Sequence, residues 1–140
     1  MIGAKSICKD VPILVIDAGT AITYDFANAT GEYIGGGIAP GMAMRFRALH
    51  EFTARLPMIS PDENVALIGD STETCIQSGV QWGTIAEIER IIDYYKNQVS
   101  EDLQVFLTGG DTSYFENHLK NINFADSNLI LKGIHFILTR

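Results

Sequence analysis

The sequence predicts an α/β domain in which a three-stranded meander is followed by alternating helices and strands. Two short β-branched runs, residues 12–16 and 20–26, lie near the N-terminus and are separated by a glycine. Residues 70–100 carry apolar side chains at helical spacing, and residues 103–107 form another short apolar run. Short β-prone segments on both sides of a long helical segment are typical of a sheet covered by helices.

The first two predicted strands meet at a tight loop that contains Asp17, Gly19 and Thr20. Gly19 allows the backbone to approach an anion closely, and the hydroxyls of Thr20 and Thr23 can donate to the oxygens of that anion. The Asp17 carboxylate is costly to bury without a partner, and it could hold a cation against the anion. The loop is therefore a candidate phosphate and metal site, although an ordinary hairpin whose Asp and Thr satisfy their own backbone has the same pattern.

The third predicted strand covers residues 32–38 and leads through Pro40 and Gly41 into a helix over residues 42–54. The apolar positions of this helix fall near helical spacing, and they are Met42, Phe46, Leu49 and Phe52. Its other face carries Arg45 and Arg47. These two side chains are either solvated or directed at an anionic ligand or a partner subunit.

The next segment, residues 56–69, is predicted to be a loop, because prolines and turn residues interrupt any regular pattern. It is the segment that we expect to be mobile and to border a substrate site. The long helix after it should begin with Asp70 as N-cap and Glu73 three residues later. Thr72 lies in the first turn of that helix, where it is a candidate substrate contact or a plain N-terminal hydroxyl.

The long helix has an apolar face formed by Ile76, Val80, Gly83, Ile88, Ile91, Ile92 and Tyr95. Gly79 and Gly83 are four residues apart, so they allow a neighbouring backbone to come close. Their surface is a candidate for packing on the sheet or for a subunit contact.

The C-terminal region is predicted to continue the alternation of strands and helices. After the strand at residues 103–107, a glycine turn leads into a helix over residues 112–120. Glycines between a strand and a helix fit a ribose or phosphate beside the helix N-terminus. A last strand is predicted over residues 127–131 and a closing helix over residues 134–138, while residues 1–10 are predicted to be the tail of a helix.

Composition restricts the class of protein. A chain of 140 residues can bury roughly 68–70% of its unfolded surface, so it needs no metal or disulfide to fold. With 17 acidic and 10 basic side chains the formal charge is −7, which argues against unaided binding to nucleic acid or an anionic membrane surface. Cys8 and Cys75 give neither a disulfide framework nor a zinc signature. No apolar run approaches the roughly 18 residues of a membrane span, and no signal peptide is evident. We therefore expect a cytoplasmic protein.

Four motifs resemble, in the same order, those of the type III pantothenate kinase family. They are DAGTAIT at residues 17–23, GGGIAPG at 35–41, STETCIQSG at 71–79 and TGG at 108–110. The family makes 4′-phosphopantothenate from pantothenate and ATP and has the duplicated actin/Hsp70/sugar-kinase (ASKHA) architecture. The resemblance covers nearly the whole chain, and it implies a ribonuclease H-like half of that fold.

The resemblance also implies roles for individual residues. It implies that Asp17 binds a monovalent cation, potassium or ammonium, and that Thr72 contacts pantothenate. Magnesium is expected to accompany ATP, and the protein is expected to be a homodimer. Residue pattern and resemblance together give these candidate ATP contacts: Gly19, Thr20, Thr23, Thr108, Gly109 and Gly110.

Two family motifs that precede the Asp17 motif do not occur in this sequence: a first phosphate hairpin and a Gly-x-Asp-Arg segment that carries the catalytic base. We therefore expect residues 1–140 to be a single domain, the C-terminal half of a two-domain kinase, with the N-terminal half absent and the catalytic residues upstream of Met1. Such a chain should be inactive or nearly so alone. Two alternatives stay open: a non-catalytic dimerisation or regulatory module, and a phosphatase-type relative in which Asp25 would activate water.

Overall fold

The computed structural model describes residues 1–99 and 102–139, in which a five-stranded sheet has helices on both faces. The elements in chain order are α1 (Ile2–Ile7), β1 (Ile13–Ala18), β2 (Ala21–Ala27), β3 (Tyr33–Pro40), α2 (Met42–Glu51), α3 (Thr72–Gln98), β4 (Gln104–Thr108), α4 (Thr112–Glu116), β5 (Phe124–Ala125) and α5 (Leu129–Leu138). The strand order is β3-β2-β1-β4-β5. Strand β2 runs antiparallel to both β1 and β3, whereas β4 runs parallel to β1 and β5 runs parallel to β4.

The two faces of the sheet carry separate apolar clusters, because successive residues of a strand point to opposite sides. Leu14, Ile16 and Leu107 face α2, α3 and α4 and join the larger cluster, which includes Phe46 and Ile88. On the other face, the side chains that pack with α1 and α5 are Ala4, Ile13, Val15, Phe106 and Leu129. Strand β1 is therefore covered on both sides, as its unbroken apolar run predicts.

The predicted order of elements is confirmed as far as α4, with strand limits that differ by one or two residues. The strand predicted at residues 127–131 is wrong, because β5 is the dipeptide Phe124–Ala125 and α5 already begins at Leu129. The reason is local: the Asn128 amide donates to the Asp126 carboxylate at 2.9 Å, and the Leu129 amide donates to the Asp126 carbonyl at 3.2 Å. These bonds start a helix in which Leu129 and Gly133 are buried.

Three predicted helix details need correction. Helix α2 ends at Glu51, and Phe52 lies beyond it with 85% of its surface exposed. Helix α4 ends at Glu116 rather than at residue 120. Gly83 is exposed and does not belong to the apolar face of α3.

The start of α3 also differs from the prediction. The N-cap is Ser71, whose hydroxyl accepts from the Thr74 amide at 3.2 Å, while the Thr74 hydroxyl accepts from the Ser71 amide at 2.9 Å. This reciprocal pair replaces the predicted Asp70 and Glu73, because threonine at the third helical position can serve as the return acceptor. The predicted end of this helix, Ser100, lies outside the described residues.

Residues 56–69 form the predicted loop, without helix or strand. Among the described residues, every helix is either too short or too polar to cross a bilayer.

Candidate functional site

The turn between β1 and β2 is the point on which the glycine motifs converge. The Gly19 amide donates to the Ala21 carbonyl at 3.0 Å and closes the turn. Gly41, at the end of the second motif, donates its amide to the Thr20 carbonyl at 3.0 Å. A Cβ at Gly41 would lie 2.1 Å from the Gly19 carbonyl oxygen. Direct contact between the two backbones therefore requires glycine at position 41.

The TGG motif at residues 108–110 reaches the same turn from the other side. Strand β4 pairs with β1 so that Thr108 lies opposite Asp17, and the Asp111 amide donates to the Ala18 carbonyl at 2.9 Å. Gly109 has φ +101°, and a Cβ there would lie 2.5 Å from Asp17 Oδ1. The Thr112 hydroxyl fixes this turn by donating to the Gly109 carbonyl at 2.6 Å. The Asp17 carboxylate thus lies against the backbone of the TGG motif.

Asp17 is half-buried, and its carboxylate makes no hydrogen bond with any described residue. It lines an open cavity of about 400 Å³ together with Asp25 and Thr108. Thr108 is only 1% exposed, and its hydroxyl oxygen has no hydrogen-bond partner in the described part of the chain. The remaining wall is mostly apolar and comes from α1 and α5, with residues such as Ile2 and Ile134. Two oxygen-bearing side chains therefore face this cavity with free capacity to bind.

Asp25 lies on the same face of the sheet as Asp17, since Asp17 is paired with Thr23 and Asp25 follows two residues later on β2. Its carboxylate accepts from the Tyr33 hydroxyl at 2.8 Å and from the Thr23 hydroxyl at 3.3 Å. The hydrogen bond to Asp25 raises the pKa of Tyr33. Asp25 is thus already engaged by two hydroxyls, in contrast to Asp17.

The other candidate residues are distributed over two regions. Thr20 and Gly110 are exposed at the turns just described. Burial raises the pKa of the Asp111 carboxyl, which stands at the start of α4. Thr72 is exposed at the first residue of α3, and its side chain makes no hydrogen bond with a described residue.

Arg45 and Arg47 are both engaged within the chain. The Arg45 guanidinium donates to both Glu87 oxygens at 2.9 and 2.8 Å and to the Pro40 carbonyl at 2.9 Å. The Tyr24 hydroxyl donates to Glu87 at 3.2 Å, and burial together with Glu87 raises the pKa of Tyr24. Arg47 pairs with Glu51 one helical turn away, at 2.6 Å. Arg45 therefore holds Pro40 and the end of β3 in place, and both guanidinium groups are paired with carboxylates of this chain.

Sequence reasoning missed the Arg45–Glu87 pair and the buried side chain of Gln81. Glu87 lies on α3, far from Arg45 in the chain, so no local spacing indicates the contact. Gln81 is 0% exposed and could have been singled out, because it is a polar residue flanked by the apolar positions of α3.

Comparison with known proteins gives consistent results. The family model for type III pantothenate kinase matches residues 1–94. Relatives named type III pantothenate kinase include these three proteins. The protein of Phocaeicola vulgatus is 50% identical over 91% of this chain and 52% of its own length, and that of Christiangramia forsetii is 48% identical over 90% of this chain and 51% of its own length. The protein of Porphyromonas gingivalis is 43% identical over 99% of this chain and 57% of its own length. The chain thus spans about half the length of the curated relatives that it matches.

Two solved structures share the fold. A conserved protein of Campylobacter jejuni, described as a Baf family transcriptional activator, is 25% identical with a TM-score of 0.70, over 98% of this chain and 61% of that one. The ethanolamine utilization protein EutJ of Carboxydothermus hydrogenoformans is 16% identical with a TM-score of 0.52, over 95% of this chain and 51% of that one. The predicted α/β fold of the ASKHA type is confirmed. Given the matched family model and relatives about half identical over most of its length, the chain belongs to the type III pantothenate kinase family.

Proposed function

We propose that residues 1–140 are a single domain, the C-terminal half of a type III pantothenate kinase. Such an enzyme transfers the γ-phosphoryl group of ATP to pantothenate and gives 4′-phosphopantothenate for coenzyme A biosynthesis. The observation that carries the proposal is that three glycine motifs meet at the turn at residues 17–20, beside a carboxylate that accepts no hydrogen bond from a described residue. We also infer a cytoplasmic location, where ATP is available.

Phosphoryl transfer requires positioning and charge neutralisation more than covalent chemistry from the protein. In our proposal the Gly19 backbone and the Thr20 hydroxyl hold phosphate oxygens of ATP, and the Thr23 hydroxyl, which donates to Asp25 in this structure, turns from Asp25 to the phosphate when ATP binds. The turn at residues 108–110 lies beside the nucleotide. The turn at residues 108–110 contacts the β1–β2 turn, and this contact supports one ligand shared by the two turns.

The residues present fit a cation. Asp17 offers a carboxylate and Thr108 offers an unpartnered hydroxyl oxygen in the same cavity, and hard cations prefer oxygen ligands. The described residues contain no group of three or more His, Cys, Asp or Glu that could hold a metal ion. One free carboxylate suits potassium or ammonium, whereas magnesium would arrive with the phosphates of ATP. When bound, these cations would neutralise phosphate charge.

The acceptor end of the site is proposed to lie at Thr72, whose exposed position at the start of a 27-residue helix leaves its hydroxyl free for pantothenate. The general base belongs to the N-terminal half in this proposal. Because a missing base costs about 10²- to 10⁴-fold in rate, the chain alone should turn over little or no substrate.

We further propose that the chain forms a homodimer. Gly79 and Gly83 are exposed on α3, and a Cβ at either position would meet nothing within 4 Å. Large apolar side chains elsewhere are also exposed, with Phe52 at 85% and Ile68 at 86%. A clean monomer in size-exclusion chromatography with light scattering would contradict a dimer.

The proposed function is tested by measuring MgATP binding in potassium chloride and in choline chloride by calorimetry. We expect binding about five- to tenfold tighter in potassium, and Asp17→Asn should remove that difference. Asp25→Asn is the matched control, because its carboxylate already accepts two hydroxyls, and it should keep the potassium effect. Retention of the potassium effect in Asp17→Asn, or its absence in the unmodified chain, would count against the proposal.

The fold neighbour described as a Baf family transcriptional activator favours a second candidate, a regulatory module without catalysis. This candidate predicts a stable dimer that binds neither ATP nor pantothenate. The same calorimetric titrations therefore separate the two functions.

A further inference from the structure

The loop at residues 56–69, here called the strap, is tied along its length to α3. Four side chains on one stripe of α3 bind strap backbone groups. Gln77 donates to the Ser60 carbonyl at 3.0 Å, Ser78 donates to the Leu67 carbonyl, Gln81 binds Asp62, and Trp82 donates to the Val65 carbonyl at 3.0 Å. A segment without regular structure is thus held by side chains rather than by a backbone ladder.

Gln81 makes the most extensive of these contacts. Its amide oxygen accepts from the Asp62 amide at 3.0 Å, and its amide nitrogen donates to the Asp62 carbonyl at 2.7 Å. The same nitrogen donates to the Tyr114 hydroxyl at 2.7 Å. In the described part of the chain, Gln81 is the side chain that hydrogen-bonds to both the strap and α4. Because the residue is 0% exposed, loss of these partners would leave buried polar groups unsatisfied.

The two segments that Gln81 joins lead to the two ends of the proposed site. Helix α4, which carries Tyr114, begins directly after the turn at residues 108–110. Two residues separate the strap from Thr72, and a Cβ at Gly69 would lie 2.4 Å from the Cys75 amide nitrogen. The end of the strap therefore lies against the first turn of α3, the turn that Thr72 begins.

We propose that Gln81 is a positioning residue for the acceptor end of the site. It fixes the strap against α3 and α4, so that the strap forms a rigid wall next to Thr72. The exposed side chains of Leu67 and Ile68, at the end of this wall, offer apolar surface to a small acceptor. This inference rests on the proposed function, which assigns the contact with pantothenate to Thr72.

The first arm of the test is hydrogen exchange, which is independent of any ligand. Gln81→Leu keeps the volume of the side chain and removes its hydrogen bonds, so the Asp62 amide and its neighbours in the strap should exchange about tenfold faster. Gln98→Leu is the matched control, since Gln98 is exposed at the end of the same helix. Exchange in the β1 core should be unchanged in both variants. Unchanged exchange of the strap in Gln81→Leu would overturn the proposal.

The second arm is calorimetry with pantothenate and with MgATP. Gln81→Leu should weaken pantothenate binding about fivefold or more and leave MgATP affinity as in Gln98→Leu. A loosened strap with unchanged pantothenate affinity would overturn the positioning role. Absence of pantothenate binding to the unmodified chain would overturn the proposed function and, with it, the acceptor role. Hydrogen exchange would still show whether Gln81 fixes the strap, because that measurement needs no ligand.

A milder variant keeps the test decisive if Gln81→Leu does not fold. Tyr114→Phe removes one oxygen atom and breaks only the link between Gln81 and α4. It should raise strap exchange and weaken pantothenate binding in the same direction as Gln81→Leu, by a smaller factor. Values identical to those of the unmodified chain would contradict the proposal.

Discussion

Replacing Gly109 by alanine should disturb both the stability of the domain and its proposed cation site. Gly109 has φ +101°, a conformation that L-residues rarely adopt. An alanine Cβ would lie 2.5 Å from Asp17 Oδ1 and 2.4 Å from the Ala18 carbonyl oxygen, about 1 Å closer than ordinary contact. The substitution therefore adds backbone strain and also displaces the carboxylate or the turn.

The magnitude follows from these two effects. A residue held in an unfavourable φ/ψ region costs about 1–3 kcal/mol, and overpacking costs a similar amount. Partial relaxation of the turn leaves a net destabilisation of about 2–4 kcal/mol, which lowers the melting temperature by roughly 6–12 °C for a domain of this size. Thermal unfolding followed by circular dichroism measures this shift.

Gly110→Ala is the matched control for this prediction. Gly110 is the next residue in the same turn, a Cβ there would meet nothing within 4 Å, and its φ is not positive. Its replacement should change stability by no more than about 0.5 kcal/mol. If Gly109→Ala and Gly110→Ala have the same melting temperature, the close contact between the TGG motif and Asp17 is refuted.

The remaining predictions concern packing, charge and pH. Gly3→Ala should destabilise the domain by about 1–3 kcal/mol in thermal melts, because the new Cβ would lie 2.3 Å from the Leu129 carbonyl oxygen where α1 crosses α5. Gly79→Ala is the control: its Cβ would meet nothing within 4 Å, so it should be neutral or stabilising in the same melts. Arg45→Met should lower the free energy of unfolding in urea by about 1–3 kcal/mol, since Glu87 loses its hydrogen bonds from the guanidinium. Arg47→Met is the control: its partner Glu51 is on the surface, so the variant should unfold like the unmodified chain. Lys132 and the Asn128 amide lower the pKa of Asp126, so its contribution to stability is present above the unfolded pKa of about 3.9 and is lost as the pH falls through the lower folded pKa. Melting temperatures of Asp126→Asn and the unmodified chain should therefore differ at pH 7 and converge as the pH falls below the unfolded pKa of the carboxyl, and a constant difference would contradict this assignment.

Much of the fold was predictable because its signals are local. The apolar, β-branched runs before and after Gly19 gave β1 and β2, and the long periodic stretch gave α3. The C-terminal error arose because Leu129, Ile130 and Leu131 have the composition of a strand. Their helical state depends on the bonds to Asp126 and on the contact of α5 with α1, neither of which a short window of sequence contains.

The candidate site was predictable in its parts but not in its assembly. Each glycine motif marks a turn by itself, whereas the contact of Gly109 with Asp17 follows from the parallel pairing of β1 with β4. The orientation of Arg45 required the position of Glu87 on another helix. Tertiary pairing of this kind leaves no trace in local spacing.

The central claim is that the turn at residues 17–20 and the turn at residues 108–110 bind the same nucleotide. Titration of MgATP into isotope-labelled protein in potassium chloride, followed by backbone amide NMR, tests it most directly. The account predicts that the amides of Gly19, Thr20, Gly109 and Gly110 shift together with a single affinity, and that Asp17→Asn needs about five- to tenfold more MgATP to produce the same shifts. Shifts confined to other surfaces, or no shifts at millimolar MgATP, would contradict it.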